Sequence, residues 1–386
     1  MRADLGHLLD EKRVLLCVGC GGVGKTTTCA ALGLAAARRG KRVLCLTIDP
    51  AKRLAQSFGL ASVATEAQRI EPRVFAEAGL DVPGTLTVTM LDVKSTFDSL
   101  VAALAKSEEK RQRILDNVLY RYISTKLAGT QEYMAMEKLY AIKDDPAYDL
   151  ILLDTPPTSH ALDFLDAPER LVAAMDSAAV TWFLETFRRS GTFSLNLLQR
   201  TAATVLRGIG HIIGGGLLEQ VAAFVTEVNE LFGGWRARAR QVSTALRGPD
   251  VGYVLVTSPE PMSLREVSFF AERLVQEEMA PSAFVVNRMR GVPDERALPE
   301  EIARELAARG LPSQPDFVAR ALEAAAEERR LGERDRDNLA SIRWATEGNE
   351  APSVVHVPAF PRDIHDIDRL ILVADVLAPC GDAPAR

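Results

Sequence analysis

Cysteine is missing from most of this chain: residues 46 to 379 contain none. The five cysteines stand at positions 17, 20, 29, 45 and 380, which supplies neither a disulfide framework nor a second pair of zinc ligands. Cys17 and Cys20 have the C-x-x-C spacing that occurs in redox and zinc sites. Because Cys17 lies in an apolar run and Cys20 in a glycine-rich loop, we interpret this spacing as structural.

An excess of positive charge and long apolar runs are also missing. The chain has 46 basic and 52 acidic residues, so its net charge is −6 and no nucleic acid partner is expected. No stretch of about 18 residues is free of charged side chains, which predicts no integral membrane span. The first residues, MRADLGHLLDEKR, lack the apolar core of a signal peptide. We therefore expect a soluble, cytoplasmic protein.

Short apolar runs recur along the 386 residues and predict buried strands. Helical patterns alternate with most of them, which indicates an α/β fold with a mostly parallel sheet covered by helices on both faces. The predicted strands are Val14–Val18, Val43–Ile48, Leu86–Leu91, Leu150–Leu153, Tyr253–Thr257, Ala283–Val286 and Ser353–Val357.

Two long stretches interrupt this alternation with helical patterns and little strand signal. They span about 96–147 and 166–248, and we interpret them as one helical subdomain inserted into a single domain of residues 1–386. Residues 295–340 are rich in Ala, Glu and Arg and predict solvated helices, while 379–386 reads as a loose tail.

The strongest motif is GCGGVGKTT at residues 19–27, between the first strand and a helix. It fits G-x-x-x-x-G-K-[ST], in which glycines let backbone N–H groups converge on phosphates and the helix N-terminus adds positive potential. Lys25 is expected at the β- and γ-phosphates, the Thr26 hydroxyl at Mg²⁺, and Thr27 near the α-phosphate. A glycine-rich turn without a ligand is the alternative. The nucleotide-binding residues so predicted are Gly21, Gly22, Val23, Gly24, Lys25, Thr26 and Thr27.

Two aspartates follow predicted strands. Asp154 ends the run Leu150–Leu153, where a carboxylate can hold Mg²⁺ through a water molecule; the alternative is a simple cap at the end of the strand. Asp49 precedes Pro50 and either caps a helix or orients the attacking water. The sixth strand runs into Asn287, Arg288 and Met289 without the N-K-x-D that reads guanine, so ATP is the favoured nucleotide.

These segments resemble the ArsA-type ATPases, P-loop NTPases of the SIMIBI class with a deviant Walker A sequence. The family includes the arsenite-pump ATPase and the ATPase that targets tail-anchored membrane proteins. The resemblance rests on GCGGVGKTT, TIDPAKRL at 47–54 and DTPPTSHALDFL at 154–165, and extends to AGTQEYMAM at 128–136, VVNRM at 285–289 and VPAFP at 357–361.

The resemblance implies roles for individual residues. Asp49 would position the attacking water, and Lys25 would act in catalysis. Asn287 would contact adenine, and Pro358 to Phe360 would cover the ring, although a strand exit with a buried Phe is the alternative. The family also implies a homodimer that closes around ATP, which fits the single phosphate loop of this chain.

The chain departs from the family at two places. Cys20 replaces the signature lysine that reaches the partner's phosphate, so activation by that lysine is lost, and Lys52 or Arg53 is a candidate substitute. The absence of cysteine from 46 to 379 removes the metalloid thiols, so a metalloid-efflux ATPase is the least favoured function.

The predicted insert leaves the biological role open. The stretch Phe193–Trp235 is apolar, which fits either a groove for a client helix or packing within the subdomain. Residues 190–250 contain no methionine, which favours internal packing. The leading hypothesis is a Mg²⁺-dependent ATPase whose ATP-controlled dimer closure drives a client or membrane-protein segment. The alternative is a regulatory or partitioning ATPase that acts through a soluble protein partner.

Overall fold

The protein was analysed as a computed structural model. Contacts divide the chain into two compact units, the first comprising Met1–Met90, Pro146–Leu162 and Pro249–Arg386, and the second Leu91–Asp145 and Asp163–Gly248. The predicted insert at 96–147 and 166–248 stays a prediction, since most of its second stretch lies outside the described residues. The structure describes residues 4–48, 53–59, 65–117, 120–121, 124, 130–156, 167, 170, 173, 231, 233–292, 298–340 and 352–380.

The first unit contains an eight-stranded sheet with the order β3-β4-β2-β5-β1-β6-β7-β8. Neighbouring strands are parallel except β3 and β4, which are antiparallel. The predicted α/β class and the seven predicted strands are confirmed, whereas the two-residue β3 was missed because its residues are exposed and polar. The strands are β1 Val14–Gly19, β2 Arg42–Thr47, β3 Gln68–Arg69, β4 Thr85–Met90, β5 Leu150–Asp154, β6 Val251–Thr257, β7 Pro281–Met289 and β8 Ser353–Pro358.

Helices surround this sheet in the first unit and form the second unit. In the first unit they are α1 Gly6–Glu11, α2 Lys25–Arg38, α3 Arg53–Ser57, α4 Pro72–Glu77, α8 Pro261–Gln276, α9 Pro299–Ala308, α10 Pro315–Ala340 and α11 Ile367–Leu377. In the second unit they are α5 Val93–Leu104, α6 Glu108–Asp116 and α7 Thr130–Ile142, with residues 233–246 also helical.

Both faces of the sheet are covered, which explains why the central strands β1, β5 and β6 are buried along their whole length. Helices α1, α2 and α11 pack on one face, where Leu15 and Cys17 of β1 join their core. Helix α8 packs against β1, β6 and β7 and buries Leu264, Val267 and Leu274.

The charged helices α9 and α10 are mostly exposed, as the sequence predicts for 295–340. Among its described residues α9 buries none, and α10 buries Val318, Gly332 and Asp335. The Asp335 carboxylate, 2% exposed, pairs with Arg290, with 3.1 Å between Oδ2 and Nη1. This buried ion pair joins α10 to the chain just after β7.

The second unit has an aromatic core. Phe97 meets Tyr120 and Trp235 edge to face, with ring centroids 6.3 Å and 5.8 Å apart. The buried Glu137 accepts a hydrogen bond from Arg238, whose guanidinium also lies over the Tyr140 ring. The apolar stretch Phe193–Trp235, for which the sequence favours internal packing over a client groove, lies largely outside the described residues. In the described part of the chain, no helix is long and apolar enough to cross a membrane.

Helix α2 approaches the sheet closely at Gly33. A Cβ atom added there would lie 2.7 Å from the Cys45 Sγ atom and 3.2 Å from the Leu86 Cδ1 atom. Both distances are shorter than a normal carbon contact, so the sheet leaves no room for a larger side chain. Lys25 is the first residue of α2, so the close packing at Gly33 also helps to fix the position of Lys25.

Gly33→Ala is expected to lower the free energy of unfolding by about 1–2 kcal/mol, because overpacking outweighs the gain in helix propensity. Gly233→Ala is the matched control: a Cβ there meets nothing, so the free energy should rise by up to about 1 kcal/mol. Urea denaturation followed by circular dichroism measures both. A stabilising Gly33→Ala would contradict the close approach.

Candidate nucleotide-binding site

The phosphate loop connects β1 to α2 and turns at two glycines with left-handed backbone. Gly22 has φ 77° and Gly24 has φ 98°, values that residues with a Cβ rarely adopt. A Cβ on Gly24 would also lie 2.2 Å from the Asn287 Nδ2 atom. Gly24 is the N-cap of α2, and no side chain caps the helix there. The first backbone N–H groups of α2 therefore have no side-chain acceptor, as anion-binding sites at helix N-termini require.

Lys25 begins α2 and is nearly buried, at 7% exposure. Its Nζ atom donates a hydrogen bond to the carbonyl oxygen of Cys20 at 2.7 Å. A buried ammonium group is costly unless it is hydrogen-bonded, and the loop's own carbonyl meets that need. The bond therefore holds the lysine charge inside the loop.

Asp154 ends β5 and is 1% exposed. Its Oδ2 atom accepts hydrogen bonds from the hydroxyl groups of Thr26 at 2.8 Å and Thr47 at 3.1 Å. Thr47 was missed by the sequence analysis. Thr47 pairs with Asp154 across β2 and β5, and this pairing would have revealed it. The sequence does not show the pairing, because the register between two strands is seen only in the folded sheet.

The oxygen atoms around Asp154 suit a hard divalent cation. Carboxylate and hydroxyl oxygens are the donors that Mg²⁺ prefers, and it usually keeps several waters beside one or two protein ligands. Thr26 and Asp154 together therefore fit a Mg²⁺ site, and Thr47 helps to fix the carboxylate.

Asn287 lies against the phosphate loop. Its Nδ2 atom donates to the Val23 carbonyl at 2.8 Å, and its Oδ1 atom accepts from the Arg288 N–H at 2.9 Å. The amide thus links β7 to the loop, and the adenine contact implied by the resemblance stays a prediction. Pro358 ends β8 opposite Met289, and Phe360 is partly buried against the core of the sheet.

A cavity of about 220 Å³ opens beside the loop. It contains predicted residues of the loop together with residues that the sequence analysis missed, and no carboxylate lies among its described lining residues. The unpredicted lining comes from α3, from the end of β7 and from the segment before α11. The cavity is lined by Gly22, Gly24, Lys25, Thr26, Thr27, Gln56, Ser57, Thr155, Arg288, Ile364 and His365.

The remaining predicted residues are placed differently. Gly21 lies in the loop but does not line the cavity, and neither do Pro358 and Phe360. Asp49 and Lys52 lie outside the described residues. Arg53 begins α3.

A family model described as anion-transporting ATPase matches residues 12–304. The chain belongs to this family. The match includes the phosphate loop, Asp154 and Asn287, and it ends before α10.

Fungal members of the anion-transporting ATPase family are similar to this chain. Proteins named ATPase GET3 from Ajellomyces dermatitidis and Phaeosphaeria nodorum are 26% and 25% identical over 293 and 294 residues, respectively. One of the same name from Paracoccidioides lutzii is 24% identical over 295 residues. Each alignment covers 75% of this chain, and 77%, 81% and 77% of the respective relatives.

Cys20 occupies the position at which the resemblance to ArsA-type members of the family expects a lysine. Its side chain is 5% exposed and packs in the sheet's core. The thiol donates a hydrogen bond to the carbonyl oxygen of Ser263 in α8, with 3.5 Å between Sγ and O. This side chain therefore faces the interior of the chain's first unit.

Three further thiols, those of Cys17, Cys29 and Cys45, are buried in the core of the sheet. A hydrogen bond with Cys29, together with complete burial, raises the pKa of Cys17 well above its ordinary value. For Cys29, the hydrogen bond with Cys17 lowers the pKa, whereas the hydrogen bond with Cys45 and burial raise it. The net pKa of Cys29 is also well above the ordinary value. Cys17 and Cys29 therefore stay protonated at neutral pH, which supports a structural role for Cys17 in the C-x-x-C spacing.

Cys380, which is half-buried, is expected to react first with Ellman's reagent at pH 8, because the other four thiols are buried and the pKa values of Cys17 and Cys29 are raised. The buried thiols should react only after unfolding in guanidinium, and raising the pH to 9 should not release them. Cys380→Ser is the control and should remove the fast phase. Rapid reaction of two or more thiols in that folded variant would contradict the burial.

Proposed function

We propose that this protein is a Mg²⁺-dependent ATPase whose nucleotide cycle controls dimer closure and the binding of a protein client. The observation that carries the proposal is the meeting of Lys25, Thr26 and Asp154 at the carboxyl edge of the sheet. Family membership supports it, and so does the similarity to proteins named as ATPases.

The phosphate groups are proposed to bind where positive potential converges. Lys25 and the N-terminus of α2 face a cavity whose described lining has no carboxylate. The left-handed glycines leave the backbone N–H groups unobstructed by side chains. A triphosphate chain satisfies these donors better than a neutral ligand does.

Thr26 and Asp154 are proposed to hold Mg²⁺, Asp154 through a water molecule. Bound Mg²⁺ would neutralise charge that develops on the phosphates. Thr47 keeps the Asp154 carboxylate turned towards Thr26, since both hydroxyl groups donate to the same oxygen. Asp154 is not among the described lining residues of the cavity, which would keep its negative charge from direct contact with the phosphates.

Asp49 is proposed to orient the attacking water. Its place in the chain supports this role: β2 ends at Thr47 beside Asp154, and the Ile48 N–H donates to the Asp154 carbonyl. Asp49 is the next residue of the chain. Asn287, Pro358 and Phe360 are proposed to contact adenine from the ends of β7 and β8.

The protein is proposed to be cytoplasmic and to act as a homodimer. A single phosphate loop in each chain fits two identical subunits that close when both hold ATP. The client is proposed to be a protein with an apolar or membrane-protein segment, in line with the targeting ATPases of the ArsA-type family.

Lys25→Ala is expected to raise the dissociation constant of Mg·ATP about 10- to 100-fold, because it removes a charge-assisted contact worth about 1.5–3 kcal/mol. Isothermal titration calorimetry measures the constant. Lys138→Ala on α7 is the control, since it removes the same charge from a residue that does not line the cavity. Equal affinity of Lys25→Ala and the wild type would contradict ATP binding at this loop.

Asp49→Asn is expected to slow hydrolysis about 10²- to 10⁴-fold and leave ATP affinity unchanged, because it removes the group that orients water. Phosphate release measures the rate, and light scattering should show a lasting dimer with ATP. Asp81→Asn, at an exposed position, is the control.

The trapped Asp49→Asn dimer also separates two functions. Binding of peptides with apolar membrane-anchor sequences only in the ATP state supports the client hypothesis. Failure to bind such peptides, with stable capture of a soluble protein instead, would contradict it and favour a regulatory or partitioning ATPase. Unchanged hydrolysis in this variant would remove Asp49 from the mechanism.

A further inference from the structure

The described lining of the nucleotide cavity contains one arginine, Arg288, to which neither the phosphate-loop motif nor the resemblance assigns a role. We propose that Arg288 binds a phosphate group of the nucleotide held by Lys25 of the same subunit, an inference that rests on the proposed function of the cavity. The resemblance expects a lysine at position 20, but Cys20 has no positive charge and its side chain faces the core. Arg288 supplies the second positive charge instead.

A short hydrogen-bonded path places Arg288 beside the phosphate loop. The Asn287 amide donates to the Val23 carbonyl at 2.8 Å and accepts from the Arg288 N–H at 2.9 Å. Asn287 also approaches Gly24 so closely that a Cβ there would lie 2.2 Å from its Nδ2 atom. The backbone of Arg288 is thus fixed to the segment that is expected to surround the phosphates.

The backbone of Arg288 is unusual for its place in the fold. Its φ of 61° is left-handed, although it lies within β7, and the pairing of β7 with β8 shifts register between Val286 and Met289. Such irregularities redirect a side chain at the end of a strand and concentrate at functional sites. Among the described residues other than glycine, Glu278 also has a positive φ. It follows the end of α8, where this conformation is ordinary.

The charge around the cavity suits an anion. Lys25 and Arg288 both line it, and its described lining contains no carboxylate. The neighbouring Arg290 differs, since it pairs with the buried Asp335 and has a structural role. The Arg288 side chain is exposed and, among the residues that the structure describes, no carboxylate forms an ion pair with it. A planar guanidinium group binds phosphate oxygens through two parallel hydrogen bonds.

Arg288→Ala tests the proposal by calorimetry with Mg·ATP and with Mg·tripolyphosphate, which has no base or ribose. The dissociation constants of both ligands should rise about 10- to 100-fold, the loss typical of a charge-assisted contact. Arg288→Lys should keep part of the affinity. Arg304→Ala, at an exposed position of α9, is the matched control and should change neither constant.

The same measurements separate failure of this proposal from failure of the proposed function. Wild-type binding of both ligands, with equal binding by Arg288→Ala, would overturn the role of Arg288 alone. A loss for Mg·ATP with unchanged Mg·tripolyphosphate would also overturn it, because the contact would then be to the nucleoside. A wild-type protein that binds neither ligand would overturn both.

Arg288→Gly separates ligand binding from a role in folding. Glycine adopts left-handed φ without strain, so the melting temperature of the ligand-free protein should stay equal or rise. The affinity for both ligands should fall as in Arg288→Ala. A clear fall in melting temperature for Arg288→Gly, with unchanged affinity in the folded fraction, would identify a structural residue and overturn the proposal.

Discussion

The hydrogen bond between the Lys25 ammonium group and the Cys20 carbonyl fixes a positive charge inside the phosphate loop. That charge constrains its surroundings, because a nearby carboxylate would neutralise it and repel a polyanion. The described lining of the cavity has no carboxylate, and the hydroxyl groups of Thr26 and Thr47 both donate hydrogen bonds to the Asp154 carboxylate. The site therefore separates the groups that would meet phosphate from the group that would serve a cation.

Parallel pairing explains how distant residues reach one edge of the sheet. The carboxyl ends of β1, β2, β5 and β7 carry the phosphate loop, Thr47, Asp154 and Asn287 in turn. Because parallel strands end on the same side, each strand delivers its last polar residue to the same crevice. The burial of the strands on both faces keeps this edge rigid, and Gly33 lets α2 lie close enough to join it.

Apolar runs and one motif were sufficient to predict the sheet and the loop, because both depend on local sequence patterns. Thr47 and Arg288 were missed for a different reason: their places depend on register between strands, and on a bulge that redirects one residue of β7. The exposed strand β3 gave no apolar signal. Asp49 and the adenine contacts stay predictions, and Asp49 lies outside the described residues. The choice between internal packing and a client groove for Phe193–Trp235 also stays open, since most of that stretch lies outside them.

A second cation within the same subunit would change how nucleotide binding relates to dimer closure. A lysine that reaches across an interface makes neutralisation of the phosphates depend on the partner. The affinity for the nucleotide and the association of the two subunits are then coupled through one contact. The inward Cys20 removes that contact, and Arg288 lies on β7 of the chain that holds Lys25. If Arg288 neutralises the phosphates, a lone subunit already holds both charges. If the protein closes as a dimer, as proposed, the dependence of closure on ATP must then come from contacts other than that of a lysine at position 20.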